Sequence, residues 1–181
     1  MSGLRPFLLS VVSLTMLTSP AAAESYRVYF GTYTGKDSKG IYVATFDAET
    51  GKLGEPQLAA ETVNPSFVAI HPSKKFLYSV GEIGDFQGKK AGGVNAYAID
   101  AATGKLTLLN QQSSDGTAPC HVVVDKAGKT VLIANYGTGS CASFPVAADG
   151  MLGKAASVIQ HKGSSVDKGR QEGPHAHSIN L

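Results

Sequence analysis

The sequence predicts an all-β chain folded as part of a β-propeller, and three observations carry that prediction. Short apolar stretches alternate with period two between turns rich in Gly and Asp. A unit of about 54 residues recurs along the chain. No stretch longer than a few residues keeps a helical period without a Gly or Pro interrupting it.

The repeat is read from its punctuation. "NPSFVAIHPSKKFLYSVGE" (64–82) and "APCHVVVDKAGKTVLIANYG" (118–137) each open on a proline, then run apolar, polar turn with Lys, apolar. Pro65 and Pro119 are 54 positions apart, and Pro174 lies 55 further on. "KGIYVATFDAETGKLGEP" (39–56) and "GGVNAYAIDAATGKLTLL" (92–109) form a second matched pair, and "CASFPVAADGMLGKAASVI" (141–159) is a weaker third copy. Four short strands per unit of this length fit a propeller blade. In "VNAYAID", Val94, Ala96, Ala98 and Asp100 fall on one side and Asn95, Tyr97 and Ile99 on the other. The Thr-Gly-Lys-Leu segments place Gly where a hairpin needs positive φ.

Blade strands are written A to D outward from the central axis, and the proline-led segments take position A. "YRVYFGTYT" then matches position B, with C at Ile41–Phe46 and D near Gln57–Glu61, so the first blade has no A strand. Two complete blades are expected at 65–112 and 119–161, followed by "PHAHSINL" as the A strand of another. That makes an incomplete ring of about three blades, since closure takes four to eight. The expectation is that residues 24–181 are the N-terminal part of a longer propeller domain.

Residues 1–23 are set apart from the fold. Arg5, the apolar run from Phe7 to Leu17 and Ala21-Ala22-Ala23 match a secretory signal peptide. The run is short for a membrane span, so no membrane association is expected after cleavage, and the location expected is periplasmic or secreted. With 16 Lys and Arg against 14 Asp and Glu, and no run of basic residues, nothing favours nucleic acid. Cys120 starts an A strand and Cys141 a C strand. Two strand spacings part them by about 10 Å, too far for a disulfide, so both are expected as small buried thiols.

Taken together, "YFGTYT…GIYVATFD", "NPSFVAIHPSKKFLYSVGE", "GGVNAYAID…GKL", "IANYGTGS" and "RQEGPHAHS" resemble the bacterial lactonase family typified by propeller-type 6-phosphogluconolactonases. The resemblance covers residues 26–181 in family order, with Gly81 standing where the family often has Asn. It implies a seven-bladed propeller about twice this length, and lactone opening or closing on a small-molecule lactone with no cofactor. Because the family also resembles a fungal enzyme that lactonises carboxymuconate, a muconate-type lactonising activity is an alternative. A non-catalytic binding platform in the cell envelope is another, because propellers host both. The oligomeric state is left open.

Lactone opening needs activated water, a group to hold the carbonyl oxyanion, and a proton for the leaving ring oxygen. Loops between D and the next A, with the first residues of A, line one mouth of a propeller funnel. His121 follows Pro119 there, and His175 and His177 follow Pro174, with Arg170 and Glu172 just before them. These residues are the candidates: His121, Arg170, His175 and His177 for catalysis, with Glu82, Tyr136 and Glu172 for substrate binding. The "HAH" pair also suits a metal by residue type. No Asp or Glu stands at a ligand spacing from it, and the resemblance implies catalysis without metal, so none is expected. His121 could equally be a packed core histidine, and Glu172 a solvated loop charge. His71 is expected to be structural at the opposite mouth, and His161 to lie on the surface. "KAGG" and "NYGTGS" join strands rather than open a helix, so they are read as turns and not as phosphate loops.

Overall fold

The computed structural model describes residues 25–181. The signal-peptide expectation for residues 1–23 lies outside the described residues. Eleven strands form three antiparallel sheets. The first holds β1 (Ser25–Phe30), β2 (Gly40–Asp47) and β3 (Gln57–Glu61), in that order. The second runs β4 (Val68–Ile70), β5 (Phe76–Gly81), β6 (Gly93–Ile99) and β7 (Leu106–Ser113). The third runs β8 (Pro119–Val124), β9 (Thr130–Asn135), β10 (Ser140–Pro145) and β11 (Ser157–Gln160). Consecutive strands are neighbours throughout, which is the meander of a propeller blade. Among the described residues the first sheet has three strands, in the positions that the phase of the repeat gives to B, C and D.

Period-two alternation explains how the sheets stack. Odd and even residues of one strand face opposite sides, so a strand buried on both faces feeds two cores. Val94 and Ala96 of β6 join Tyr78, Val80, Val122, Ile133 and Phe144 between the second and third sheets. Tyr97, on the other side of the same strand, joins Leu77, Ile41, Val43 and Leu106 between the first and second. The alternation noted in "VNAYAID" is thus the partition of one strand between two interfaces. Tyr78, fully buried, donates its hydroxyl to the Gly150 carbonyl across the second interface at 3.0 Å. Burial pushes its pKa up to about 12, so it stays a neutral donor.

Residues 174–181 depart from the expectation of a further A strand: they form no ladder. In the two complete blades the innermost strand pairs only with the strand after it, and among the described residues none pairs with 174–181. The segment still packs beside β8. The Ile179 amide donates to His121 Nδ1 at 3.4 Å, and Cys120 Sγ lies 3.6 Å from the Ala176 carbonyl and 3.5 Å from that of His177. Gly139 makes the approach possible. Its φ is +63°, and a Cβ there would stand 2.0 Å from the Pro174 carbonyl oxygen. Cys120 and Cys141 are both free, as strand spacing requires, but half-buried rather than fully enclosed.

Candidate functional site

At the mouth where the A strands begin, three sheets contribute to one open pocket of about 340 Å³. Its walls are Tyr33, Ser66, Glu82, Cys120, Tyr136, Arg170 and His177. Tyr33 comes from the loop after β1, Ser66 precedes β4, and Glu82 follows β5. Cys120 starts β8, Tyr136 follows β9, and Arg170 and His177 lie on the segment after β11. Larger cavities occur elsewhere, about 470 Å³ between the first two blades and about 630 Å³ beside β1, Ile70 and His71. Neither includes any of the candidate residues, so residue chemistry and not volume singles out the smaller pocket.

Each wall is held by a different blade. Tyr33 Oη donates to Glu82 Oε2 at 2.9 Å, and Ser66 Oγ donates to the same oxygen. The bond to Glu82 raises the pKa of Tyr33, because ionising the phenol would set two anions against each other. Tyr136 carries the imidazoles: the His175 ring stacks on it at 4.5 Å and 22°, and His177 meets it edge-on at 5.3 Å. His175 Nδ1 lies 3.0 Å from the Tyr136 carbonyl. A carbonyl only accepts, so Nδ1 carries the proton. Nε2 lies 3.3 Å from Glu172 Oε1.

Four of the sequence-predicted residues, Glu82, Tyr136, Arg170 and His177, line the pocket together. His175 and Glu172 stand behind it, tied to the wall through Tyr136. His121 does not line it. Its ring packs on Phe67 of the preceding blade at 4.3 Å and accepts the Ile179 amide. Burial, aided by the nearby His177, lowers its pKa, so the neutral ring is favoured. The arrangement repeats one blade earlier: after Pro65, Ser66 lines the pocket and Phe67 packs at the blade-to-blade contact, as Cys120 and His121 do after Pro119.

Sequence reasoning missed Tyr33, Ser66 and Cys120. A signal for two of them was present, because Ser66, Cys120 and His175 each follow the proline that leads an A segment. Burial first, and then the Glu82 charge, pushes the Cys120 thiol pKa up, which favours the neutral thiol. Among the described residues, no group of three His, Cys, Asp or Glu is placed to hold a metal ion.

A profile of the lactonase family of seven-bladed β-propellers matches residues 27–181. The chain belongs to that family. A 6-phosphogluconolactonase of Bacillus subtilis is 46% identical over 152 residues, covering 84% of this chain and 42% of the relative. A 6-phosphogluconolactonase of Formosa agariphila is 36% identical over 157 residues, 85% of this chain and 43% of its own length. Among solved structures, a periplasmic gluconolactonase of Pseudomonas aeruginosa superposes with a TM-score of 0.77 at 33% identity, over 87% of this chain and 44% of that one. The chain therefore spans about two-fifths of the length of the relatives it matches.

Proposed function

We propose that the full-length protein hydrolyses a sugar lactone, with the 340 Å³ mouth pocket as this chain's share of the active site. The observation that carries the reading is the convergence of Arg170, His177, Glu82 and Tyr136 from separate blades on one opening. It occurs in a chain 46% identical to a 6-phosphogluconolactonase.

Hydrolysis adds water to the lactone carbonyl and breaks the bond from that carbon to the ring oxygen. In this proposal His177 takes a proton from the attacking water and returns it to the departing ring oxygen, which leaves as a hydroxyl. The Arg170 guanidinium holds the carbonyl oxygen as it becomes an oxyanion. Tyr136 sets the face of His177, and the Glu172–His175 pair braces Tyr136 from behind. The new carboxylic acid loses its proton to solvent. Blades outside this sequence would complete the funnel.

The proposal includes export. Residues 1–23 read as a cleaved leader, a periplasmic gluconolactonase shares the fold, and among the described residues no helix is long and apolar enough to cross a membrane. The test is a pH-stat assay of the full-length protein on sugar δ-lactones, with and without a 6-phosphate, beside a muconate-type lactone. Opening of a sugar lactone, abolished by H177A or R170A with the fold retained, is the expected result. Turnover confined to the muconate-type lactone, or none at all, overturns the reading.

A further inference from the structure

We infer that Glu82, clamped by Tyr33 and Ser66, reads the hydroxyl groups of a polyhydroxylated lactone and sets the site's preference for such substrates over bare cyclic esters. The inference rests on the lactone-opening reading above and adds what this wall of the pocket recognises.

The geometry is one-sided. An ionised carboxylate only accepts hydrogen bonds, with about four lone-pair positions over two oxygens. Oε2 of Glu82 takes both the Tyr33 and the Ser66 hydroxyls. Oε1 receives no hydrogen bond from any described residue, and no ion pair joins Glu82 to Arg170. Two donors on one oxygen fix the plane of the carboxylate and leave the other oxygen as an oriented acceptor. Arg170, on the same pocket, is donor only. One wall thus accepts and another donates.

A lactone ester group is an acceptor without hydrogens to give, so it suits Arg170 and has nothing to offer Glu82. The ring hydroxyls of a sugar lactone are donors, so they suit Oε1. The two walls match the two ends of a polyhydroxy lactone. A muconate-type dicarboxylate would instead bring an anion against a fixed anion. Tyr33 and Ser66 are positioning residues: they act by holding Glu82, from loops of two different blades.

The experiment compares glucono-δ-lactone with δ-valerolactone, which has the same ring and no hydroxyls, on the full-length protein. The readout is the ratio of kcat/KM values, which global damage to the fold does not move. E82Q is expected to lower the ratio on the order of tenfold, mainly through KM for gluconolactone, since a site built around a substrate hydroxyl loses discrimination when its partner is weakened. Y33F combined with S66A should lower it by roughly threefold, and S66T, which keeps the donor, should hold the wild-type ratio. An unchanged ratio in E82Q overturns the inference, as does a proportional loss on both lactones. If the wild-type protein opens neither lactone, the proposed function falls separately. Calorimetric binding of gluconate against 5-hydroxyvalerate then decides: a gluconate preference lost in E82Q supports the clamp, and equal binding overturns it.

Discussion

The two mouths of this partial propeller use their polar side chains in different ways. At the mouth where the A–B and C–D turns lie, the aspartates are consumed by their own turns. Asp47 Oδ1 accepts the Glu49 and Thr50 amides, Asp100 Oδ1 accepts those of Ala102 and Thr103, and Asp125 Oδ1 those of Lys129 and Thr130. His71 bonds Ser73 of its own turn with one nitrogen and the Gly128 carbonyl of the next blade with the other, so both of its nitrogens are used. At the opposite mouth Glu82 is held by Tyr33 of another blade and by Ser66, and His175 by Tyr136 of another blade and by Glu172, and Oε1 of Glu82 keeps its acceptor capacity. A polar side chain satisfied within its own turn builds the scaffold. One that another blade positions, with a free valence toward a pocket, is placed for a ligand.

The largest effects should separate the mouths by activity. In the full-length protein, R170A and H177A are each expected to lower kcat/KM for a sugar lactone by about 10²-fold or more, whereas H71A leaves it within about twofold. Equal losses from both mouths would erase the distinction. Next is the backbone approach that supports the active mouth. G139A meets a positive φ and the Pro174 carbonyl at once. It should cost about 2 kcal/mol or more in urea unfolding, and about tenfold in turnover through displacement of His177.

The turn aspartates give a smaller effect that appears only with pH. Bonds to the Thr130 and Lys129 amides hold the Asp125 carboxyl below the usual carboxylate range. Its folded pKa lies below its unfolded value, so its stabilisation is present above about pH 4 and lost as pH falls through the lowered folded value. D125N should therefore melt below the wild type at pH 7, with a gap that narrows toward pH 3 in thermal scans; a constant gap would contradict this. The smallest effect is at His121, whose folded pKa is lowered by burial first and by His177 second. NMR titration should find this imidazole below the ordinary histidine value, and H177A should move it up part of the way. No movement would mean that the two rings are uncoupled.

The strands, their phase and their division into blades were legible in the sequence because alternation and turn chemistry act within a few residues. So was the three-strand make-up of the first sheet among the described residues, since the repeat marks position A with a proline. The candidate site was legible in part. Arg170, His177, Glu82 and Tyr136 share a pocket because strand ends at one mouth converge, which the repeat foretells. Tyr33 and Ser66 were hidden, because their role is a bond to Glu82 that depends on how two blades stack. His121 was misleading for a different reason: the mouth position is the residue directly after the proline, Cys120, and His121, one place on, packs on Phe67 of the preceding blade.

The central claim is that a sugar lactone is handled between Arg170 and Glu82. The most direct measurement is a crystal structure of the full-length protein with its aldonate product. The account predicts the product carboxylate on Arg170 and a ring-derived hydroxyl on Glu82 Oε1. A product ordered at the opposite mouth, or bound in the funnel without touching either residue, would contradict it.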